Sequence, residues 1–200
     1  MRAGFYNMRG FGRPGRRTQI RDLISREQLD FVGLQETIKA SFTPAELLSI
    51  DPRGRFAWQF VSACGHSGGM LLGVNEDRFE VRTWVSGAFF IRVDVFQLDT
   101  TQTWSLFVVY GLADHRRSPE FLAELSVAVQ ACPYPLVIRG DFNLIRGAED
   151  KSNANINWPR VHRFNDCIAS LALREVRRSG GYWTEFLCPR IGQPSSPSAR

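Results

Sequence analysis

Apolar and polar positions along the chain follow two periods, and the changes of period separate predicted helices from predicted strands. Apolar groups recur at positions i, i+3 and i+4 over residues 16–28 and 159–171, which predicts two helices. Thr43-Pro44-Ala45-Glu46 supplies an N-cap, a proline at N1 and a glutamate at N3, so a short helix is predicted from here to Ser49. A fourth predicted helix begins at Ser118-Pro119-Glu120.

Strands are predicted where short apolar or alternating segments lie between turn residues. DFVGLQ and PYPLVIR are almost continuously apolar, as buried strands are. Five other segments follow one another with only turns between them, which is typical of a meander. Helices combined with meander strands predict a layered α/β (α+β) fold with mixed sheets. The predicted strands are 3–7, 30–35, 56–63, 70–74, 79–85, 89–98, 103–110 and 133–139.

Composition indicates one soluble domain. The chain has 200 residues, 44% of them hydrophobic, which is enough for a domain with its own core. No apolar run reaches the roughly 18 residues of a membrane-spanning helix, and the first ten residues lack the apolar core of a secretory signal. The four cysteines are scattered, which predicts reduced thiols and an intracellular location, in the nucleus or cytoplasm. The domain is predicted over 1–190 and a disordered tail over 191–200.

The net charge of +5 is carried mainly by arginine, and it is unevenly distributed. Residues 1–30 hold seven basic and three acidic groups, and residues 139–200 hold ten basic and six acidic groups. The middle, 31–138, holds eight basic and eleven acidic groups. Basic ends suit a phosphate-bearing partner because the planar guanidinium matches phosphate oxygens. An arginine-rich composition with solvated side chains fits the same pattern equally well.

Polar side chains follow four of the predicted buried strands. Asn7 follows the first strand, Glu36 follows DFVGLQ, Tyr110 follows TWSLFVV, and Asp141 and Asn143 follow PLVIR. Each of them alone is more often a turn former or a cap. Strand ends of layered α/β folds converge on a crevice, so together they predict a site. Carboxylate and carboxamide oxygens suit a hard cation such as Mg²⁺.

Short motifs containing these residues resemble the endonuclease/exonuclease/phosphatase superfamily in their order and spacing. The sequence is most similar to the endonuclease domain of plant LINE-type non-LTR retrotransposons, over about residues 3–186. The resemblance implies a sandwich of two mixed, largely antiparallel sheets flanked by helices. The motifs are Asn7-Met8-Arg9-Gly10, Leu34-Gln35-Glu36-Thr37, Ser67-Gly68-Gly69, Val109-Tyr110-Gly111 and Gly140-Asp141-Phe142-Asn143.

The resemblance also implies roles for the residues at these positions. Glu36 corresponds to the metal-binding glutamate, with Asn7 beside it in the metal and phosphate shell. Asp141 corresponds to the aspartate that orients or deprotonates the attacking water, and it is also counted as a metal ligand. Asn143 and Tyr110 correspond to residues that hold the scissile phosphate. The implied reaction is phosphodiester hydrolysis assisted by Mg²⁺ or Mn²⁺.

Four arginines near the end of the first strand are the candidate nucleic-acid contacts: Arg9, Arg13, Arg16 and Arg17. DNA is the expected partner, and the protein is expected to be a monomer that does not associate with membranes.

The chain departs from the superfamily pattern because it has no Ser-Asp-His segment. Its histidines, His66, His115 and His162, occur in other contexts. We interpret the chain as C-terminally truncated, lacking the last strands of the sandwich, with little or no nuclease turnover. Two alternatives stay open: a basic nucleic-acid-binding remnant without catalysis, and a phosphatase of the same superfamily.

A serine esterase is a further alternative. Gly65-His66-Ser67-Gly68-Gly69 matches the G-x-S-x-G nucleophile elbow, and Asp141 and His162 follow in the order of a catalytic triad. The elbow requires a helix after the serine, whereas MLLGV after Gly69 predicts a strand. A tight turn leading into that strand is therefore the preferred interpretation.

Overall fold

The computed structural model describes residues 1–63, 68–111, 113–150 and 155–176, and the backbone of 184–188. These residues contain four α-helices: α1 (Arg16–Glu27), α2 (Pro44–Ile50), α3 (Ser118–Gln130) and α4 (Trp158–Ser170). Single 3-10 turns occur at His115–Arg117 and Ala148–Asp150. The strands are β1 (Ala3–Asn7), β2 (Phe31–Gln35), β3 (Phe56–Val61), β4 (Met70–Asn75), β5 (Phe79–Ser86), β6 (Phe90–Gln97), β7 (Gln102–Tyr110), β8 (Leu136–Asp141), β9 (Arg174–Glu175) and β10 (Thr184–Cys188).

The strands form two mixed sheets, so the predicted fold class is confirmed. The first sheet has the order β1-β2-β4-β3, and the second has the order β5-β6-β7-β8-β10-β9. Each sheet contains one parallel pair, β1 with β2 and β7 with β8, and the other neighbours are antiparallel. Every predicted helix and strand is present, and its ends differ from the prediction by at most three residues.

The structure contains two strands after β8 that the sequence analysis did not predict. β10 pairs with β8 in antiparallel register, Thr184 opposite Gly140 and Cys188 opposite Leu136, and β9 pairs with β10. β9 has only two residues, and the β10 sequence TEFLC does not alternate between polar and apolar residues, so neither gives a clear period. The expectation that the last strands of the superfamily sandwich are missing stays a prediction. The predicted tail, 191–200, lies outside the described residues.

Three apolar layers hold the sandwich together. The central layer lies between the sheets and includes Phe5, Phe31 and Val108. A second layer packs α3 and α4 on the larger sheet, and a third packs α1 and α2 on the smaller one. A fully buried side chain of this size contributes roughly 1.5–3 kcal/mol, so these layers fix how the strand ends of the two sheets face each other.

Local capping explains where the helices begin. Thr43 accepts a hydrogen bond from the Glu46 amide while Glu46 bonds back to the Thr43 amide, which is the predicted capping box of α2. The Asn157 side chain caps α4 in a similar way, through the Arg160 amide.

Within the described part of the chain, no helix has the length and apolar character needed to cross a membrane. Cys132 and Cys167 are free thiols.

Candidate active site

Parallel pairing brings the predicted residues to one edge of the molecule. Asn7 lies opposite Gln35 in the β1–β2 pair, which places Glu36 beside it. Tyr110 lies opposite Asp141 in the β7–β8 pair of the other sheet. The Tyr110 hydroxyl donates to Glu36 Oε1 at 3.1 Å, so the strand ends of the two sheets meet.

The carboxylate of Glu36 is the centre of this cluster. Its Oε1 accepts from Asn7 Nδ2 at 2.5 Å as well as from the Tyr110 hydroxyl. Asn7 is held in turn, because its Oδ1 accepts from the Arg9 amide at 3.2 Å. Both donors to Glu36 are neutral, so they orient the carboxylate without cancelling its charge. The carboxylate therefore retains its ability to bind a cation.

Backbone strain is concentrated at the same edge. Seven non-glycine residues of the described chain have positive φ, and four of them adjoin the candidate site: Arg9 (47°), Glu36 (51°), Ile38 (53°) and Asn143 (49°). The left-handed region costs L-residues roughly 1–2 kcal/mol each. Such strain persists only where the surrounding structure enforces it, and it is common at functional sites.

Two neighbouring loops enforce the conformation at Glu36. On one side, the Gly10 and Phe11 amides donate to the carbonyls of Glu36 and Thr37, both at 2.8 Å. On the other side, the Thr37 amide donates to the Gly69 carbonyl and the Ile38 amide to the Gly68 carbonyl, both at 3.1 Å. The backbone around Glu36 is therefore bonded from both directions.

The glycines of the Ser67-Gly68-Gly69 motif have a structural role here. Gly68 and Gly69 have φ of 75° and 82°, and a Cβ on Gly69 would lie 2.5 Å from Thr37 Oγ1. β4 follows directly, so the strand predicted after Gly69 is confirmed and the esterase hypothesis, which requires a helix there, is wrong. Ser67 and His66 lie outside the described residues. His162 lies on the exposed side of α4, beside the Trp158 ring.

Gln35 is a site residue that the sequence analysis did not identify as one. Its side chain is fully buried, and Nε2 donates to the Val109 carbonyl of the other sheet at 2.7 Å. A Cβ on Gly140 would collide with both of these groups, so the glycine makes room for the bond. The bond joins the residue before Glu36 to the residue before Tyr110. The sequence offered one signal for this role, because Gln35 is a polar residue in the almost continuously apolar segment DFVGLQ.

Asp141 and Asn143 form the second half of the site. Asn143 donates its amide to Asp141 Oδ1 at 3.0 Å, and its side-chain Nδ2 donates to the Gly111 carbonyl. Burial raises the pKa of Asp141, the Asn143 amide opposes this rise, and the Glu36 charge adds to it. A carboxylate with a raised pKa is a stronger base, which suits proton abstraction from water.

Tyr110 remains a hydrogen-bond donor over the accessible pH range. Burial raises the pKa of its hydroxyl, and the charge of Glu36 and the hydrogen bond to Glu36 raise it further, well above the usual value near 10. Asp141 contributes a smaller increase. The phenol therefore stays protonated, with its proton directed at the Glu36 carboxylate.

The donor set fits a hard divalent cation. Glu36, Asp141 and Asn7 offer carboxylate and carboxamide oxygens, and the two carboxylates are close enough for the Glu36 charge to affect the pKa of Asp141. Within the described ranges there is no group of three or more His, Cys, Asp and Glu residues arranged to hold a metal. Two carboxylates are what Mg²⁺ commonly uses, since it keeps several of its waters.

The four predicted arginines lie on the loop after β1 and at the start of α1. Arg9 and Arg13 are exposed, and Arg16 and Arg17 are half-buried. Arg16 donates to Gln19 Oε1 at 3.3 Å, and the Arg17 guanidinium lies 5.6 Å from the centre of the Phe11 ring. The loop is continuous with Asn7, and its Gly10 and Phe11 amides bond to the Glu36 and Thr37 carbonyls, so the backbone that carries these cations runs next to the Glu36 segment.

Comparison with known families assigns the chain to one of them. Residues 4–192 match the model of the Endonuclease/Exonuclease/phosphatase family, and the chain therefore belongs to this family. No curated protein matches the chain in sequence.

Solved structures show the same fold at low sequence identity. The endonuclease domain of TRAS1, a telomere-specific non-LTR retrotransposon, superposes with a TM-score of 0.68 at 12% identity, over 94% of this chain and 85% of its own. For D. rerio TDP2 complexed with single-strand DNA product, the TM-score is 0.60 at 13% identity, over 96% and 85%. For the mannosyl-6-phosphatase Bt3783 of Bacteroides thetaiotaomicron, it is 0.62 at 11% identity, over 94% and 85%.

Proposed function

We propose that the protein is a divalent-metal-dependent phosphodiester hydrolase of the endonuclease type, with DNA as its substrate. The observation that carries the proposal is the Glu36 carboxylate, which is held by neutral donors from both sheets, with Asp141 nearby. Such an arrangement orients a charge toward the cleft instead of neutralising it.

Each residue then has a distinct task. Glu36, Asp141 and the Asn7 carboxamide would hold Mg²⁺ or Mn²⁺, which supplies Lewis-acid polarisation of a phosphoryl oxygen. Asp141, with its raised pKa, accepts the proton of the attacking water. Asn143 uses one N–H on the Gly111 carbonyl and directs the other to a phosphate oxygen. Tyr110 donates its hydroxyl proton to Glu36 and so orients the carboxylate.

Nucleic acid is favoured over a small phosphoester by the charges next to the site. Arg9, Arg13, Arg16 and Arg17 have no ion-pair partner within the described ranges, so their charges are available to phosphates. Among proteins of this fold, the TRAS1 domain is an endonuclease and one TDP2 structure contains single-strand DNA product. The order of the five motifs supports an origin in a LINE-type retrotransposon, of the plant kind.

We further propose that turnover by these 200 residues is slow. The support comes from the sequence, in which none of the histidines has the Ser-Asp-His context that completes the site in the superfamily it resembles. Removal of one member of a catalytic unit commonly lowers the rate by several powers of ten.

Plasmid nicking tests both parts of the proposal. We expect slow nicking by the purified protein in Mg²⁺ or Mn²⁺ and none by Glu36→Gln, with Glu149→Gln in the exposed loop after β8 as the matched control. If the wild type nicks rapidly and Glu36→Gln abolishes the nicking, the proposal of slow turnover is wrong, but the proposed endonuclease activity stands. If neither metal supports nicking, the proposed endonuclease activity is wrong. Salt-sensitive DNA binding would then indicate the non-catalytic binder, and release of phosphate from a monoester would indicate the phosphatase.

A further inference from the structure

Three partly exposed apolar side chains lie on the segment after Glu36 and at the end of β3: Ile38, Phe42 and Phe60, here called the aromatic edge. Phe42 is half-buried, Phe60 is 37% exposed and Ile38 is 38% exposed. The Phe42 ring meets Phe60 edge to face with centroids 5.5 Å apart, and it meets the buried Phe11 ring at 5.1 Å. Phe60 therefore ends a row of aromatic rings that begins in the core and reaches the surface.

Sheet register places this edge at the same end of the smaller sheet as Glu36, on the face that carries α1 and α2, because Phe60 pairs with Leu71 of that apolar layer. Gln35 on β2 and Val61 on β3 both pair with Met70 on the intervening strand β4. Both strands run antiparallel to β4, so Glu36 and Phe60 lie at the same end of the sheet. Two strand spacings of about 4.8 Å separate the backbones, or about 10 Å in total. This distance corresponds to about three nucleotides of a stacked strand at 3.4 Å each.

The edge is rigid before any ligand arrives. The Ala63 amide donates to the Lys39 carbonyl at 2.8 Å, and Ser62 Oγ donates to the Ala40 carbonyl at 2.7 Å, so the segment after Glu36 is bonded to the end of β3. Ile38 is a β-branched residue with φ of 53°, a conformation that β-branched residues rarely adopt. The backbone thus holds an apolar side chain in solvent at a conformational cost.

Two cations lie next to rings of this aromatic row. The Arg17 guanidinium lies 5.6 Å from the Phe11 ring centre, and the Lys39 ammonium lies 5.8 Å from that of Phe42. Lys39 also pairs with Glu46 at 2.7 Å, so the net positive charge comes from Arg17 with its neighbours Arg13 and Arg16. No acidic residue occurs in the first turn of α1. A flat apolar surface bordered by arginine matches a nucleobase attached to a phosphate backbone.

We propose that the aromatic edge stacks an unpaired nucleobase of a strand that is bound across the candidate site. The inference rests on the proposed function, and it adds that this region of the substrate is single-stranded, because a paired and stacked base presents no free face. The charge beside the edge favours nucleic acid over an apolar protein partner.

Binding of a fluorescent oligothymidylate, measured in EDTA, tests the proposal without requiring catalysis. We expect Phe60→Ala to weaken binding by about 5- to 100-fold and Phe60→Trp to retain wild-type affinity. Leu98→Ala removes another exposed apolar side chain, in the turn between β6 and β7, and should have no effect. An oligonucleotide in which abasic sites replace the bases should bind wild type and Phe60→Ala equally.

Hydrolysis of bis(p-nitrophenyl) phosphate separates stacking from a general structural defect. This small diester does not reach the edge, so Phe60→Ala should leave its hydrolysis unchanged. Equal binding of oligothymidylate by wild type and Phe60→Ala would overturn the proposal. A Phe60→Ala defect that persists with the abasic strand, or that extends to the small diester, would also overturn it. If the wild type cleaves nothing, the proposed function fails, while the binding comparison still decides the stacking surface.

Discussion

Glu36 shows how one side chain can join two sheets and still remain reactive. Its Oε1 accepts from Asn7, 29 residues away in sequence, and from Tyr110, 74 residues away. A positively charged donor would have neutralised the carboxylate, whereas an amide and a phenol only fix its position. The rotamer of Glu36 is therefore fixed while its negative charge remains available to a cation.

Asp141 should reduce the stability of the folded state at neutral pH. Burial and the Glu36 charge raise its pKa above that of the unfolded chain, so ionisation disfavours the fold. This penalty is complete above the raised pKa and disappears below the ordinary pKa of aspartate. Asp141→Asn removes the charge and keeps an oxygen for the Asn143 amide. We expect it to raise the free energy of unfolding at pH 7 by about 1 kcal/mol.

Urea denaturation in EDTA across the acidic range measures this effect. The advantage of Asp141→Asn should shrink as the pH falls through the raised pKa and vanish below the ordinary one. Asp166→Asn, on the exposed side of α4, should stay within about 0.5 kcal/mol of wild type throughout. A difference that grows on acidification would contradict the argument.

Gln35 should matter for stability as well as for geometry. Replacement by leucine keeps the volume, but it leaves the buried Val109 carbonyl without its donor. Such a loss costs about 1–3 kcal/mol, measurable by urea denaturation. The half-buried Gln59, whose Nε2 lies 3.3 Å from Ser86 Oγ at the sheet edge, is the matched control. If Gln35→Leu and Gln59→Leu lower the free energy of unfolding by the same small amount, the Gln35–Val109 bond does not contribute to stability.

At the scale of elements, the turn before β4 acts as a support for the loop that carries Glu36. Gly69→Ala places a methyl group against Thr37 Oγ1 and imposes a left-handed conformation on an alanine. Gly54→Ala imposes only the conformation, because nothing lies within 4 Å of its Cβ position. We expect Gly54→Ala to cost about 1–2 kcal/mol with unchanged hydrolysis.

Gly69→Ala should cost more than Gly54→Ala and should also lower hydrolysis, because the Thr37–Gly69 contact supports Glu36. Thermal unfolding combined with nicking rates measures both effects. If the two variants have the same stability and the same nicking rate, the Thr37–Gly69 contact does not position Glu36.

The sequence predicted the elements well where a long periodic segment or a capping signal was present. α2 was predicted from its capping box, and β2 from an apolar run that is buried at all five positions. β9 and β10 were missed because two residues are too few for a period and because the five residues of β10, TEFLC, do not alternate between polar and apolar. The candidate residues were found because they end strands. Their bonds, and the tie through Gln35, depend on how two sheets pack, which no local pattern encodes.

At the scale of the whole molecule, the net charge of +5 should make DNA binding sensitive to salt. If the four arginines beside the site each contact one phosphate, the affinity for single strands should fall with a log–log salt slope of about −3. Arg13→Gln and Arg17→Gln should each reduce the slope by about 0.7.

Fluorescence anisotropy over a salt series measures these slopes. Arg53→Gln is the control, because Arg53 precedes β3 at the sheet end remote from Glu36. An Arg53 variant that changes the slope as much as an Arg13 variant would show that binding is not localised at the candidate site.

The division of the candidate site between two sheets determines when the site is complete during synthesis of the chain. The smaller sheet, with Asn7 and Glu36, is complete once Asn75 has been added, whereas Tyr110 and Asp141 belong to the later half. A chain emerging from the ribosome therefore carries half of the candidate site until the second sheet has packed on the first. The complete residue set exists only in the assembled sandwich, so unfinished or half-unfolded copies lack the geometry on which the proposed activity depends.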